Sequence, residues 1–298
     1  MKKKNIVALI TPMNKDKSID YSSLKNIIDY HIYNKTSSIL ICGTTGESHS
    51  LSSKEKEEIL DYSIDYIGNR IPLILGVGEN SIEKTVLNLK KFANKKNIKY
   101  FMLIPPSFVL PDQNGLYLYY KTIVSKVDFI KYILYNNPKR TVSYLLNRTI
   151  LNLSKIENIV GIKDSICDFN ELLKLKKKIN KKFLFFCGED KFIFKFLLFG
   201  GNGVISVISN IAAKTISNIC KLIGKSHFKK AKILFYKIKI LYKYLKLAPN
   251  PSFIKWICMK LNLIKGNYTR LPIVEINEKY YNIKKYETLI KIIKLNIK

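Results

Sequence analysis

A (β/α)8 TIM barrel with an appended C-terminal helical region is the fold class that three features of this 298-residue sequence predict. Short, β-rich apolar runs alternate with longer stretches of helical spacing, and the alternation repeats eight times. The runs are apolar on both faces, which points to parallel strands covered by crossover helices. From about residue 225 the pattern becomes purely helical, as in KKAKILFYKIKILYKYLK and PSFIKWICMKL, with a basic helical tail from about 276. The expected division is therefore a catalytic barrel over 1–224 and a helical region over 225–298.

The first strand is predicted over 5–10 (NIVALI) and the second over 37–43 (SSILICG), which runs into GTTGES. In the helical stretch SSKEKEEILDYSIDYIG that follows, Ser52 and Glu55 have capping-box spacing, and Leu60, Ile64 and Ile67 fall on one face. Further apolar runs place strands at 71–77 (IPLILGV), 100–105 (YFMLIP), 129–136 (FIKYILYN) and 159–164 (IVGIKD). The last two are expected over 183–188 (FLFFCG) and 203–208 (GVISVI). Active sites of such barrels lie at the C-terminal strand ends, where the βα loops gather. Here those ends read CGTTGES, GVGENS, IPPSF, LYNNPKRT, GIKDS, CGED and VISVISN, richer in glycine, hydroxyls and charge than the strands themselves.

Composition narrows the function classes. Hydrophobic residues at 47% with 25% charged describe a packed protein. The formal charge of +30 draws polyanions without sequence preference, but only Arg70, Arg140, Arg148 and Arg270 among the 52 basic residues are arginine. The lysines are spread over nearly every predicted helix, so no specific nucleic-acid site is expected. Cys42, Cys167, Cys187, Cys220 and Cys258 are odd in number and mostly in apolar contexts, and read as reduced core thiols. The opening MKKKNIVALITP is too short in apolar residues for a signal core, and no run approaches the ~20 residues of a membrane span. A cytoplasmic location and no membrane partner follow as expectations.

Lys163 closes an apolar strand at the expected active face. A lysine there can snorkel to water along its stem. Alternatively, an ammonium deprived of hydration gives up its proton more readily and becomes an amine able to form an imine with a carbonyl. Gly43-Thr44-Thr45-Gly46-Glu47 sets two hydroxyls and several N–H groups at a strand-to-helix turn, an array suited to a carboxylate or to a capped helix start. Tyr135, at another strand end, offers a phenol able to pass a proton, or a core aromatic. Arg140, in the loop that follows, offers a planar fork for a carboxylate. His31, His49 and His227 are far apart without ligand spacing, so no metal site is expected. GVGENS lacks the third glycine of a dinucleotide loop, and neither a phosphate-cradling loop nor a nucleophile elbow occurs.

Taken in order, GTTGES, YNNPKRT, GIKDS, CGED, GGNGVISV and PNPSFIKW resemble the dihydrodipicolinate synthase branch of the pyruvate-dependent class I aldolase family, over roughly residues 5 to 275. The resemblance implies a barrel enzyme, usually a homotetramer, that condenses pyruvate with aspartate semialdehyde and needs no cofactor. It also implies that Lys163 forms the Schiff base, while Thr44 and Thr45 hold the pyruvate carboxylate and join the proton relay. Tyr135 would shuttle protons, Arg140 would hold the semialdehyde carboxylate, and Gly188 and Ile205 would line the pocket through their backbones. In relatives, one tyrosine of a loop pair completes the relay from a neighbouring subunit. This chain has Pro106-Ser107-Phe108 there, from which slower turnover is expected. The rival readings are another pyruvate aldolase, such as N-acetylneuraminate lyase, and a non-catalytic basic barrel scaffold.

Overall fold

The computed structural model describes residues 2–245, 248–277 and 290, with the side chains of 243 and 244 left aside. Eight parallel strands close in the order of the chain: β1 (Lys4–Ala8), β2 (Ser38–Ile41), β3 (Leu73–Val77), β4 (Ile98–Leu103), β5 (Tyr132–Asn136), β6 (Ile159–Asp164), β7 (Leu184–Cys187) and β8 (Gly203–Ser206). The predicted (β/α)8 barrel is thus observed. Strands β2, β3, β5 and β8 are buried at every position, as expected of strands covered on both faces.

The chain groups into two compact units, Pro72–Ile205 and the residues before and after it. The discontinuous unit holds β1 and β2 with the helices α1 (Tyr21–Tyr33) and α2 (Ser53–Ile67). Asp20 caps α1 by accepting from Ser23 N–H. The capping box at Ser52 and Glu55 is present in full at the start of α2, which buries Leu60 and Ile67 with Ile64 half-buried beside them. The continuous unit holds β3 to β7, most of β8, and the helices α3 (Ile82–Ala93), α4 (Gln113–Lys126), α5 (Pro138–Thr141), α6 (Asn147–Leu153), α7 (Phe169–Lys178) and α8 (Ile193–Leu198). After β8 the discontinuous unit resumes with α9 (Ser209–Gly224), α10 (Phe228–Lys237), α11 (Lys239–Tyr244) and α12 (Asn250–Lys260). Most of the basic tail expected from 276 lies outside the described residues.

Two expectations need correction. The apolar run from 129 reads as strand, yet Asp128 and Phe129 form the turn after α4, with Phe129 65% exposed, and β5 begins only at Tyr132. Arg140 lies not in a loop but on the single turn of α5, where Pro138 at the helix start supplies a helical φ and needs no hydrogen-bond partner.

Candidate active site

Within the continuous unit, β5 and β6 pair with Tyr135 opposite Lys163 and Asn136 opposite Asp164. Residues level with one another on parallel strands point to the same side of the sheet. Register thus brings the two predicted catalytic groups together, and Lys163 Nζ stands 4.4 Å from the centroid of the Tyr135 ring. Both residues are buried, Lys163 at 7% exposure. Among the described residues Nζ has neither a hydrogen-bond acceptor nor a counter-ion, so nothing but the ring's negative face offsets its lost hydration.

The opposite side of β6 anchors the strand end. Asn136 donates through Nδ2 to Asp164 Oδ1 at 3.1 Å and accepts from Leu145 N–H at 3.0 Å. Asp164 also accepts from Cys167 N–H at 2.9 Å and Ile166 N–H at 3.3 Å, closing the loop that follows. Burial raises its carboxyl above the ordinary value against these bonds, which pull it down.

Gly188 follows β7, its N–H donating to Asp164 O at 2.7 Å. A Cβ there would lie 2.3 Å from the Ser165 hydroxyl and 3.2 Å from Lys163 Cε, so glycine keeps the space beside the lysine arm open. Cys167 and Cys187 flank this point with sulfurs 3.6 Å apart. Burial, then the neighbouring Cys167, pushes the Cys187 thiol well above its ordinary value, as expected of inert core thiols. All five cysteines are buried and free. Ile205 is buried in β8. Arg140 is exposed, and its guanidinium engages no acceptor among the described residues.

The discontinuous unit carries Thr44 and Thr45 in a 3-10 turn over Thr44–Gly46. Neither hydroxyl has a partner among the described residues, which leaves both open to a ligand. The turn itself is held firmly. Thr11 Oγ1 donates to Gly46 O at 2.8 Å, and a Cβ at Gly46 would come within 2.9 Å of Leu9 O. Glu47, left-handed at φ 56, is fully buried, and Oε1 lies 2.5 Å from Nζ of the equally buried Lys255. Lys255 also donates to Tyr268 O at 2.7 Å, and Arg270 N–H to Glu47 Oε2 at 3.0 Å. Burial drives Lys255 below the ordinary lysine value, with Glu47 pulling the other way. Arg270 then forks onto Glu55 with contacts of 2.8 and 2.5 Å and reaches Ser50 O and Lys17 O. The fork of Arg270 pulls Glu55 down to about 2.

Sequence reasoning missed this Glu47–Lys255–Arg270 network, the Asn136–Asp164 bond and a contact made by Asn137. Asn137 donates through Nδ2 to the Tyr135 hydroxyl at 2.7 Å. The available signal was the two-residue step that sets alternate side chains of an extended segment on one face.

A sequence model of the Dihydrodipicolinate synthetase family matches residues 1–292. The 4-hydroxy-tetrahydrodipicolinate synthase of Wigglesworthia glossinidia brevipalpis is 46% identical over 278 residues, 92% of each chain. That of Escherichia coli is 35% identical over 274 residues, 92% of this chain and 93% of its own. Among solved structures, the chloride-inhibited dihydrodipicolinate synthase from Acinetobacter baumannii, complexed with pyruvate, superposes with a TM-score of 0.92 at 34% identity, covering 99% of both chains. Among the described residues no group of three or more potential ligands could hold a metal ion, and no helix is long and apolar enough to cross a membrane.

Proposed function

The chain belongs to the dihydrodipicolinate synthetase family, and from that membership we propose that Lys163 is its Schiff-base lysine in the condensation of pyruvate with aspartate 4-semialdehyde to 4-hydroxy-tetrahydrodipicolinate. The observation that carries the assignment is a buried lysine without a counter-ion among the described residues, set over a tyrosine ring at a strand end.

The amine of Lys163 attacks the ketone carbon of pyruvate, and loss of water leaves an imine. Loss of a methyl proton turns the imine into an enamine, whose carbon attacks the aldehyde of the second substrate. The semialdehyde's own amine then adds to the imine carbon and expels Lys163, closing the ring and freeing the enzyme. Lysine suits this chemistry because its imine is an electron sink that needs no cofactor. Tyr135 carries protons to and from the reacting atoms, Thr44 and Thr45 hold the pyruvate carboxylate and extend the relay, and Arg140 receives the semialdehyde carboxylate. Gly188 and Ile205 line the pocket by their backbones. The working assembly in this reading is a homotetramer in the cytoplasm.

Borohydride reduction in the presence of pyruvate tests the central claim. Peptide mass mapping is expected to find the reduced adduct on Lys163. Labelling of another residue, or of none, would overturn it. Release of pyruvate from sialic acid would favour the lyase rival instead.

The loop without its tyrosine gives a second expectation. Ser107 donates its N–H to Asn80 Oδ1 at 2.8 Å, and Phe108 stands 89% exposed. Restoring a phenol by Ser107→Tyr or Phe108→Tyr is expected to raise kcat, by up to about a hundredfold if general acid–base transfer limits turnover. Steady-state kinetics decide the point, and an unchanged kcat in both variants removes the missing tyrosine as a cause of slow turnover.

A further inference from the structure

We propose that Asn137 is a positioning residue for proton transfer, its side-chain amide donating to Tyr135 Oη at 2.7 Å and fixing the direction in which the phenol passes its proton. The inference rests on the reading of Tyr135 as the proton shuttle.

Asn137 is half-buried at the N-cap of α5, with φ −145 and ψ 83. Asparagine is among the best helix caps, because its side-chain oxygen can accept from the first free N–H groups of the helix. Here it makes no such bond. The side chain is turned instead to the buried phenol whose ring lies beside Lys163 Nζ. A capping opportunity is therefore left unused in favour of a contact with a group assigned to the chemistry.

A phenol oxygen carries one hydrogen and two lone pairs. With the amide on one lone pair, the hydroxyl hydrogen and the second lone pair are held in fixed directions, and the proton leaves and returns along one path. As Tyr135 gives up its proton, negative charge grows on Oη. A hydrogen bond to a charged acceptor is stronger than one to a neutral acceptor, so the amide contact tightens as the transition state is approached. A contact that strengthens only there raises kcat and leaves ground-state binding alone.

The test is a kinetic cycle on the full-length enzyme with Asn137→Leu, Tyr135→Phe and the double variant, with Asn137→Asp alongside. Leucine keeps the branched shape and removes the donor. Aspartate keeps the size and the capping ability but has no N–H to give. Asn137→Leu is expected to lower kcat about ten- to a hundredfold, the scale of one hydrogen bond to a charged group. The pyruvate KM should stay within about twofold, as for an interaction made only in the transition state. Asn137→Asp should fail in the same way, and the Leu substitution should cost nothing further once Tyr135 is Phe. Pyruvate-dependent reductive trapping on Lys163 should persist in Asn137→Leu and Asn137→Asp, showing the site intact. The inference is overturned if Asn137→Leu keeps the wild-type kcat, if Asn137→Asp restores it, or if the loss is the same with Phe at 135. A Tyr135→Phe enzyme that retains full kcat overturns the shuttle reading itself, and this inference with it.

Discussion

Exchanging Lys163 for methionine is expected to abolish pyruvate-dependent trapping and to lower turnover by at least about a thousandfold, while the fold survives. The two halves of this result have separate causes. Activity fails because the thioether cannot form an imine, and β6 carries no second lysine. The fold survives because no counter-ion among the described residues holds Lys163: the substitution removes its attraction to the face of the Tyr135 ring, worth about 0.5–2 kcal/mol. Against it stands the cost of burying an ammonium with no partner, which methionine avoids. The unbranched thioether also fills the space of the lysine stem beside Gly188. Melting temperature is therefore expected to stay level or rise. Turnover within about tenfold of the parent, far above the loss of a covalent nucleophile, would refute the assignment.

That prediction separates two lysines which look alike in the sequence. Lys163 in IVGIKDS and Lys255 in PSFIKWICMK both interrupt apolar runs, and the same argument from hydration applies to each. One has no counter-ion among the described residues and stands at a strand end, and the other is paired to a carboxylate on a distant stretch of chain. The eight-fold alternation made the barrel legible because each βα unit carries its own local period, and β6 begins and ends where its pattern says. Glu47 and Lys255 share no local pattern, and only the closed fold makes them neighbours. The arginines illustrate the same limit. Scarcity drew attention to Arg140, but the bidentate fork onto a carboxylate within the chain belongs to Arg270, whose partner Glu55 reads in sequence only as a capping residue. Asn137 was hidden for a different reason. Its place just past a strand end favours a turn or cap role, and local propensity does not say which group an unused cap will reach.

Lys255→Met is expected to cost about 3–5 kcal/mol of stability, because it leaves the carboxylate of Glu47 buried without its counter-ion. Glu47 cannot turn to water. It is fully buried, its backbone is fixed in a left-handed conformation, and its other oxygen is held by Arg270 N–H. The double variant Glu47→Gln, Lys255→Met should be more stable than Lys255→Met alone, since an amide needs no counter-ion and still accepts from Arg270. Additive losses would show that packing of the lysine stem, and not the charge, governs this site. Urea denaturation followed through Trp256, the single tryptophan of the chain and the next residue along α12, reads the event where it occurs. A functional consequence is tied to the same ion pair. Glu47 directly follows the turn that carries Thr44 and Thr45, so loosening it should raise the KM for pyruvate while reductive trapping still finds Lys163. An unchanged KM in a measurably destabilised protein would mean that the turn is held by Thr11 and Gly46 alone, and that the buried ion pair serves the fold without serving the site.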